Sequence, residues 1–493
     1  MTFEIDYLAL APELIVVATM ILVLALDLVL TRAQKYWTAT VSVAGTALAL
    51  IPLAVLALKD EVVSMFDGSY VVDEFALVLK GLFLVAAYIV FLMSHHYIES
   101  DRYYQGEYYF LLLASILGSL VMASSRDLIV LFIGLELVTA PLFLLTGWRK
   151  GDVKSNEASM KYFILGVLST AILLYGMSLL FGLTGEVAFA GIAEATAGMA
   201  DEPALIMAIL FLMVGFGFKV AAVPFHFWAP DTYEGAPTPI SAYLSVNSKG
   251  AGFVAMLIVM YQALPGLSDV WAPALWLLAA LSMTIGNLSA LRQSNIVRLL
   301  AYSSVAQAGF MLVPFAAAAV AGADLQEAFG ATLIYLVIYA VMNLGAFAVV
   351  IAGARKTGSG EISRWAGLAR VDPILGVLTA VFFFSLAGIP PLAGWFAKFE
   401  MFRSVMIADP ATIALAVIAA VNAVIALYYY ARVVRSVWLD DPTGELTEEA
   451  GAAPAGSLRL ALGVAVAVTV AIGVYPDIAA FVRDAAQVLA TGG

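Results

Sequence analysis

Charged side chains sit inside long apolar stretches at Lys80, Glu136, Lys219, Lys249 and Lys398. A charge at mid-bilayer costs roughly 2.5–3.5 kcal/mol, so each of them calls for a reason. Lys80, in DEFALVLKGLF, is about two turns from the acids Asp73 and Glu74 and reads as a lysine snorkelling along its four-carbon stem. Glu136, in DLIVLFIGLELVTAPLFLLTGW, lies too deep for its short side chain to do the same. Lys249 has Asn247 and Ser248 beside it, a polar face turned inward. Lys219 precedes Pro224 in GFGFKVAAVPFHFWAP, and Lys398 follows Pro391 in SLAGIPPLAGWFAKFEMF. Proline removes a backbone donor and frees carbonyls, which hydrocarbon rejects unless protein or a wet cavity receives them. Broken helices bearing charges in corresponding halves of a chain mark an ion path. Lysine suits proton transfer there: desolvation favours the amine, and a nearby carboxylate favours the ammonium. Two unit charges about 4 Å apart interact by roughly 4 kcal/mol at an effective dielectric of about 20. A carboxylate that moved toward or away from such a lysine would therefore decide whether it keeps its proton. His226, just after Pro224, has the chemistry either to relay a proton or to cap an interface. The pair His95–His96 reads as interfacial.

The elements that must hold these residues follow from composition. The chain has 493 residues, 63% of them apolar, 12% charged, with a mean hydropathy of +0.98. Soluble domains carry about twice that share of charge. With no cysteine, the chain offers no disulfide, thiolate nucleophile, iron–sulfur cluster or Cys-ligated zinc. A net charge of −12 argues against a nucleic-acid partner, and no Gly–Lys pair exists to build a P-loop. A span needs about 20 apolar residues. That rule places about 14 spans, centred near residues 20, 48, 84, 115, 138, 171, 213, 251, 281, 306, 340, 385, 424 and 466. None shows the strict alternation of a membrane barrel, so the class is an all-α polytopic membrane protein. Glu4 and Asp6 replace a basic leader, so the first apolar stretch reads as a retained span. The polar inserts 439–457 and 190–203 read as flexible loops.

The basic residues orient the bundle. With the N-terminus outside, the inner segments hold sixteen lysines and arginines, among them Arg32, Arg102, Lys154, Arg298 and Arg432. The outer segments hold four, Lys59, Arg126, Arg403 and Arg483. An even number of spans returns the C-terminus to the outside as well.

The stretches ASSRDLIVLFIGLELVTAPLFLLTGWRK, GFKVAAVPFHFWAPDTYEGAPTPISAYLSVNSKGAGF and LAGIPPLAGWFAKF resemble the antiporter-like membrane subunits of respiratory complex I. The Ser–Lys–Gly–Ala–Gly–Phe run and the length are most similar to the subunit N group of bacterial NADH–quinone oxidoreductases. The resemblance covers essentially the whole chain. It implies a single membrane domain over 1–493: helices 1–3 over about 9–95, two inverted five-helix repeats over about 107–263 and 271–438, and a last helix over about 457–475. Helices 7 and 12 would be the broken ones. It further implies that Glu136 and Lys219 form the charged pair of the first repeat, Lys249 the bridge and Lys398 the outlet-side lysine of the second. In this sequence the tenth span lacks a carboxylate to match Glu136, and lysine stands on opposite sides of the proline in the two breaks.

The expected activity is proton translocation in a prokaryotic inner (cytoplasmic) membrane, driven by electron transfer from NADH to quinone in partner subunits. Those partners would hold the flavin, the iron–sulfur clusters and the quinone; this chain would bind no cofactor or metal. Waters held by Asn247, Ser248 and Tyr302 would carry protons from Lys249 toward Lys398. The rival readings are a subunit of a multi-subunit sodium/proton antiporter, a purely structural membrane subunit, and the matching subunit of a ferredoxin-, hydrogenase- or deazaflavin-linked complex.

Overall fold

The computed structural model describes residues 5–59, 61–99, 106–322, 325–406, 410–442, 454–479, 481–483 and 485. Glu4, Arg102 and residues 443–453 of the longer polar insert lie outside them. Apolar runs form helices because a helix satisfies every internal backbone group within one segment. The first three are α1 (Ala11–Val29), α2 (Tyr36–Lys59) and α3 (Glu74–Glu99). They are followed by α4 (Gly106–Ala123), α5 (Leu128–Thr146) and α6 (Val153–Thr184). Asp127 and Asp152 cap α5 and α6 by accepting from Val130 N and Lys154 N.

The next helix is broken. Its halves are α8 (Pro203–Lys219) and α9 (Trp228–Gly235), preceded by a short surface helix α7 (Phe189–Ala195). A run buried along nearly its whole length, Thr238–Ala263, comprises α10 (Thr238–Tyr243), a π-helical turn Leu244–Ser248, α11 (Lys249–Ile258) and a second π-turn, Val259–Ala263. Then come α12 (Ser268–Ala290), α13 (Ile296–Ala321), α14 (Leu325–Thr357) and the single turn α15 (Leu368–Val371). A second break separates α16 (Pro373–Ala387) from α17 (Ala393–Ser404), and α18 (Pro410–Leu439) and α19 (Gly456–Val474) complete the order.

Among the described residues twelve helical segments are long and apolar enough to cross a membrane. Two shorter apolar helices, α8 and α16, are the first halves of the broken ones. The α3, α11 and α14 segments form the buried centre, while α1, α2, α6 and α18 present large apolar side chains such as Leu28, Leu58, Leu168 and Val424 outward. Close helix crossings depend on small residues, as expected where lipid supplies no hydrophobic drive. A Cβ on Gly118 of α4 would lie 2.5 Å from Val138 N of α5, and one on Gly286 of α12 would lie 2.6 Å from Ala306 N of α13. The two halves thus contain matching tight crossings.

Two details depart from the sequence reading. A small antiparallel hairpin pairs β1 (Val63–Met65) with β2 (Tyr70–Val72) between α2 and α3. The alternation there is too short to stand out beside twenty-residue spans, and the turn rests on Phe66, Asp67 and Gly68, all at positive φ. The segment 190–203 is not merely a flexible loop: α7 buries Phe189 and Ile192 there, enough apolar anchorage to fix a helix.

Candidate functional site

Glu136 lies near the middle of α5, and Lys219 is the last residue of α8, where the break begins. The break spans residues 220–227, with a cis Val223–Pro224 bond and Ala221 at φ 56°. Its polar groups are received by protein, as the membrane requires. Val223 N donates to Ser282 Oγ at 2.9 Å, and Trp228 Nε1 donates to the Phe218 carbonyl at 3.1 Å. The geometry brings the acid and base together: Lys219 Nζ donates to Glu136 Oε1 at 2.8 Å. It also donates to Thr139 Oγ1 at 2.8 Å and to Thr170 Oγ1 at 3.4 Å. Thr170 Oγ1 in turn donates to Glu136 Oε1 at 2.9 Å. All three ammonium donors are used. Thr139 and Thr170 were missed in the sequence, although Thr139 follows Glu136 by three residues and so shares its helix face.

Lys249 is buried at the end of the π-turn Leu244–Ser248. Such single π-turns inside helices are frequent at functional sites. Lys249 Nζ donates to the Ser304 carbonyl oxygen at 2.6 Å and also to Ser304 Oγ. Ser304, which the sequence did not single out, receives the lysine directly, and Asn247 donates to the Phe83 carbonyl of α3 at 3.0 Å. One residue advances a helix by about 100°, so neighbours in sequence face different partners.

Lys398 lies on α17, beyond the second break, which contains the cis Pro390–Pro391 bond. Its Nζ donates to the Ala387 carbonyl at 2.5 Å, one of the acceptors freed at the end of α16, and stands 5.1 Å from the Phe310 ring centroid. Gly388, at φ +89°, makes this approach feasible, since a Cβ there would lie 2.6 Å from Lys398 Cδ. Among the described residues no carboxylate pairs with Lys398; nearby Glu400 is taken by Arg483 at 2.8 Å.

A polar line joins the Lys249 and Lys398 neighbourhoods. Ser303, adjacent to Ser304, is hydrogen-bonded to the Tyr430 hydroxyl. Gln307 Nε2 donates to Tyr430 OH at 3.3 Å and to the Leu386 carbonyl at 3.1 Å. Tyr335 OH donates to Gln307 Oε1 at 2.7 Å. The line ends at the Leu386 carbonyl, one residue before the Ala387 carbonyl that accepts from Lys398. The sequence signal was present in α13, where Ser303 and Gln307 stand four residues apart within an apolar span.

His226 is not brought to these charges; its buried Nδ1 has no hydrogen-bond partner among the described residues, and its ring lies 4.7 Å from that of Phe227. Lys80 does not snorkel. It is fully buried, 2.9 Å from Glu13 Oε1, and donates to Tyr70 OH at 3.0 Å. Folding supplies it with a carboxylate from α1, which removes any need to reach water. At the opposite end, Arg298 bridges Asp231 at 2.7 Å and Glu234 at 2.8 Å, and Lys154 also reaches Glu234 at 2.8 Å. Inner-assigned basic residues thus gather at one end of the bundle.

An acid–base pair at one helix break, a buried lysine inside the bundle and another at a second break thus lie within a polytopic membrane protein. The model of the family described as NADH:quinone oxidoreductase/Mrp antiporter, transmembrane, matches residues 125–425, and the chain belongs to that family. NADH-quinone oxidoreductase subunit N of Moorella thermoacetica is 40% identical over 464 residues, which cover 94% of each chain. A chain of respiratory complex I from Thermus thermophilus superposes with a TM-score of 0.75 at 32% identity, covering 95% of this chain and 98% of that one. A chain of the Mrp complex from a Dietzia species superposes with a TM-score of 0.84 at 21% identity, covering 98% of each, and attests the shared fold.

Proposed function

We propose that this chain is the subunit N type of proton-translocating membrane subunit of an NADH–quinone oxidoreductase, in a prokaryotic inner membrane with both termini outside. Electron transfer from NADH through flavin and iron–sulfur centres to quinone occurs in partner subunits. The helices make 14 crossings, with inverted five-helix repeats over about 107–263 and 271–438. The observation that carries this reading is the Glu136–Lys219 pair at a helix break, 2.8 Å apart. At an effective dielectric of about 20, that separation is worth roughly 6 kcal/mol of attraction. Withdrawing or neutralising Glu136 removes the attraction and releases the Lys219 proton toward Lys249. Ser304 receives Lys249, and the hydroxyls of Ser303 and Tyr430 lead to the carbonyls beside Lys398. Hydroxyl groups donate and accept at once, which suits them to pass protons. His226 stands apart from this line and is a candidate relay only toward the α9 end.

The Glu136 side chain is 25% exposed on the outer flank of the chain. An ionised group facing lipid at that depth is costly. The α5–α6 flank is therefore where a neighbouring membrane subunit packs. The test is copurification together with proton pumping in vesicles during quinone-linked NADH oxidation. Recovery within a flavin- and iron–sulfur-containing assembly, with pumping lost in Glu136→Gln, supports the reading. Recovery only with antiporter subunits, or as a free chain with full transport, overturns it.

A further inference from the structure

The Glu13–Lys80 pair takes no part in the line from Lys219 to Lys398. It lies among the first three helices, near the end of the bundle that carries the hairpin. Glu13 occupies the first turn of α1, and Lys80 lies seven residues inside α3, from Glu74 onward. Tyr70, on β2, bridges them: its hydroxyl donates to Glu13 Oε1 at 2.8 Å and accepts from Lys80 Nζ at 3.0 Å. The β2 strand is fixed by Val71 N donating to the Ser124 carbonyl at 2.8 Å, beside the Arg126–Asp73 pair at 2.5 Å.

Two features set this cluster apart from a satisfied structural ion pair. Glu13 Oε2 is buried with no hydrogen-bond partner among the described residues, so the carboxylate has an open seat for a proton. The deeper member is also close to the transfer line: Lys80 lies one turn from Phe83, whose carbonyl accepts from Asn247, two residues before Lys249. Asn247 Oδ1 is buried and unpartnered as well. A fully buried lysine, an acid in the first turn of α1 and a phenol between them make a short relay pointing from the Lys249 segment to the hairpin end.

We propose that Glu13, Tyr70 and Lys80 form a second proton-exchange station, leading from the Lys249 segment to the hairpin face of the protein; it rests on the proton-translocating reading above. In the exchange an N–H bond breaks at Lys80 and an O–H bond forms at Glu13, leaving an amine and a carboxylic acid. The pair is neutral overall before and after. Glu13 then loses that proton to water at the hairpin end, and Lys80 takes another from the Lys249 side, so one proton enters for each that leaves.

The experiment uses the assembled complex in inverted membrane vesicles and reads protons moved per NADH oxidised. The variants are Tyr70→Phe and the double exchange Glu13→Gln with Lys80→Met; Glu136→Gln runs beside them. Replacing both members of a buried pair leaves no lone charge, so a purely structural pair would tolerate the double exchange. A proton station would not: the ratio falls at least about twofold because the groups that hand protons on are gone. Tyr70→Phe keeps the packing and lowers the ratio in the same direction. A normal ratio in the double variant, while Glu136→Gln abolishes pumping, overturns the station alone. If the double variant does not assemble, Tyr70→Phe decides, and a normal ratio there overturns the proposal. Normal pumping in Glu136→Gln would remove the station and the reading beneath it together.

Discussion

Lys219 and Lys398 meet their helix breaks from opposite sides: Lys219 closes α8, whereas Lys398 is the sixth residue of α17. The first therefore meets an acid on α5, and the second, among the described residues, the carbonyl of Ala387 and the face of Phe310. Arginine at 219 would keep the charge and the ion pair yet hold its proton permanently. Lys219→Arg should assemble and lose pumping on the order of 100-fold. Glu136→Asp keeps an acid and should retain most of it. Wild-type pumping by Lys219→Arg, measured in vesicles after confirming assembly, would leave Lys219 a purely electrostatic role.

Ser304 offers Lys249 two acceptors, the carbonyl and the hydroxyl. Ser304→Ala keeps the first and removes the second. A hydrogen bond to a charged group contributes about 1.5–3 kcal/mol, so pumping should slow about tenfold while the complex remains intact. An unchanged rate would show that the carbonyl alone positions Lys249.

At Gly388 the left-handed backbone and the nearby Lys398 chain both demand the absence of a Cβ. Gly388→Ala should cost about 1–2 kcal/mol of backbone strain and displace Lys398, reducing pumping and lowering the temperature at which the complex dissociates. Gly463, with nothing within 4 Å of its missing Cβ, supplies the comparison, and Gly463→Ala should match the wild type in both assays.

The cysteine-free sequence allows the orientation to be read by labelling. An impermeant thiol reagent applied outside sealed cells should reach a cysteine at Asp67 or Glu194 and fail to reach one at Lys154, all three positions being exposed. The reverse pattern would invert the bundle.

Span positions and helix breaks were legible because they are local: an apolar run declares a helix, and a proline beside a lysine declares an interruption. Glu136 and Lys219 could be set apart as charges with nowhere else to go. Thr170, which bonds both of them, could not, because such contacts join residues far apart in the chain, as does that of Tyr70 with Glu13. Glu13 reads in sequence as an ordinary acid at a helix N-terminus, favourable there by its position alone, and only the tertiary fold, which brings its side chain to that of α3, turns it into the counter-charge of Lys80. Ser304 hides for a related reason. A serine in an apolar helix ordinarily bonds its own preceding turn, and nothing local says that a lysine arrives from another helix.

The absence of a carboxylate beside Lys398 has an electrical consequence. The Glu136–Lys219 pair sums to zero charge, so a transmembrane voltage does little work on it as a unit. A proton on Lys398 would have no carboxylate partner among the described residues, and moving one such charge fully across costs about 2.3 kcal/mol per 100 mV. Occupancy of Lys398 by a proton therefore senses the membrane potential through its depth in the field. The protein meets the voltage it helps to build in its second half, at a lysine held by a carbonyl and a phenyl ring.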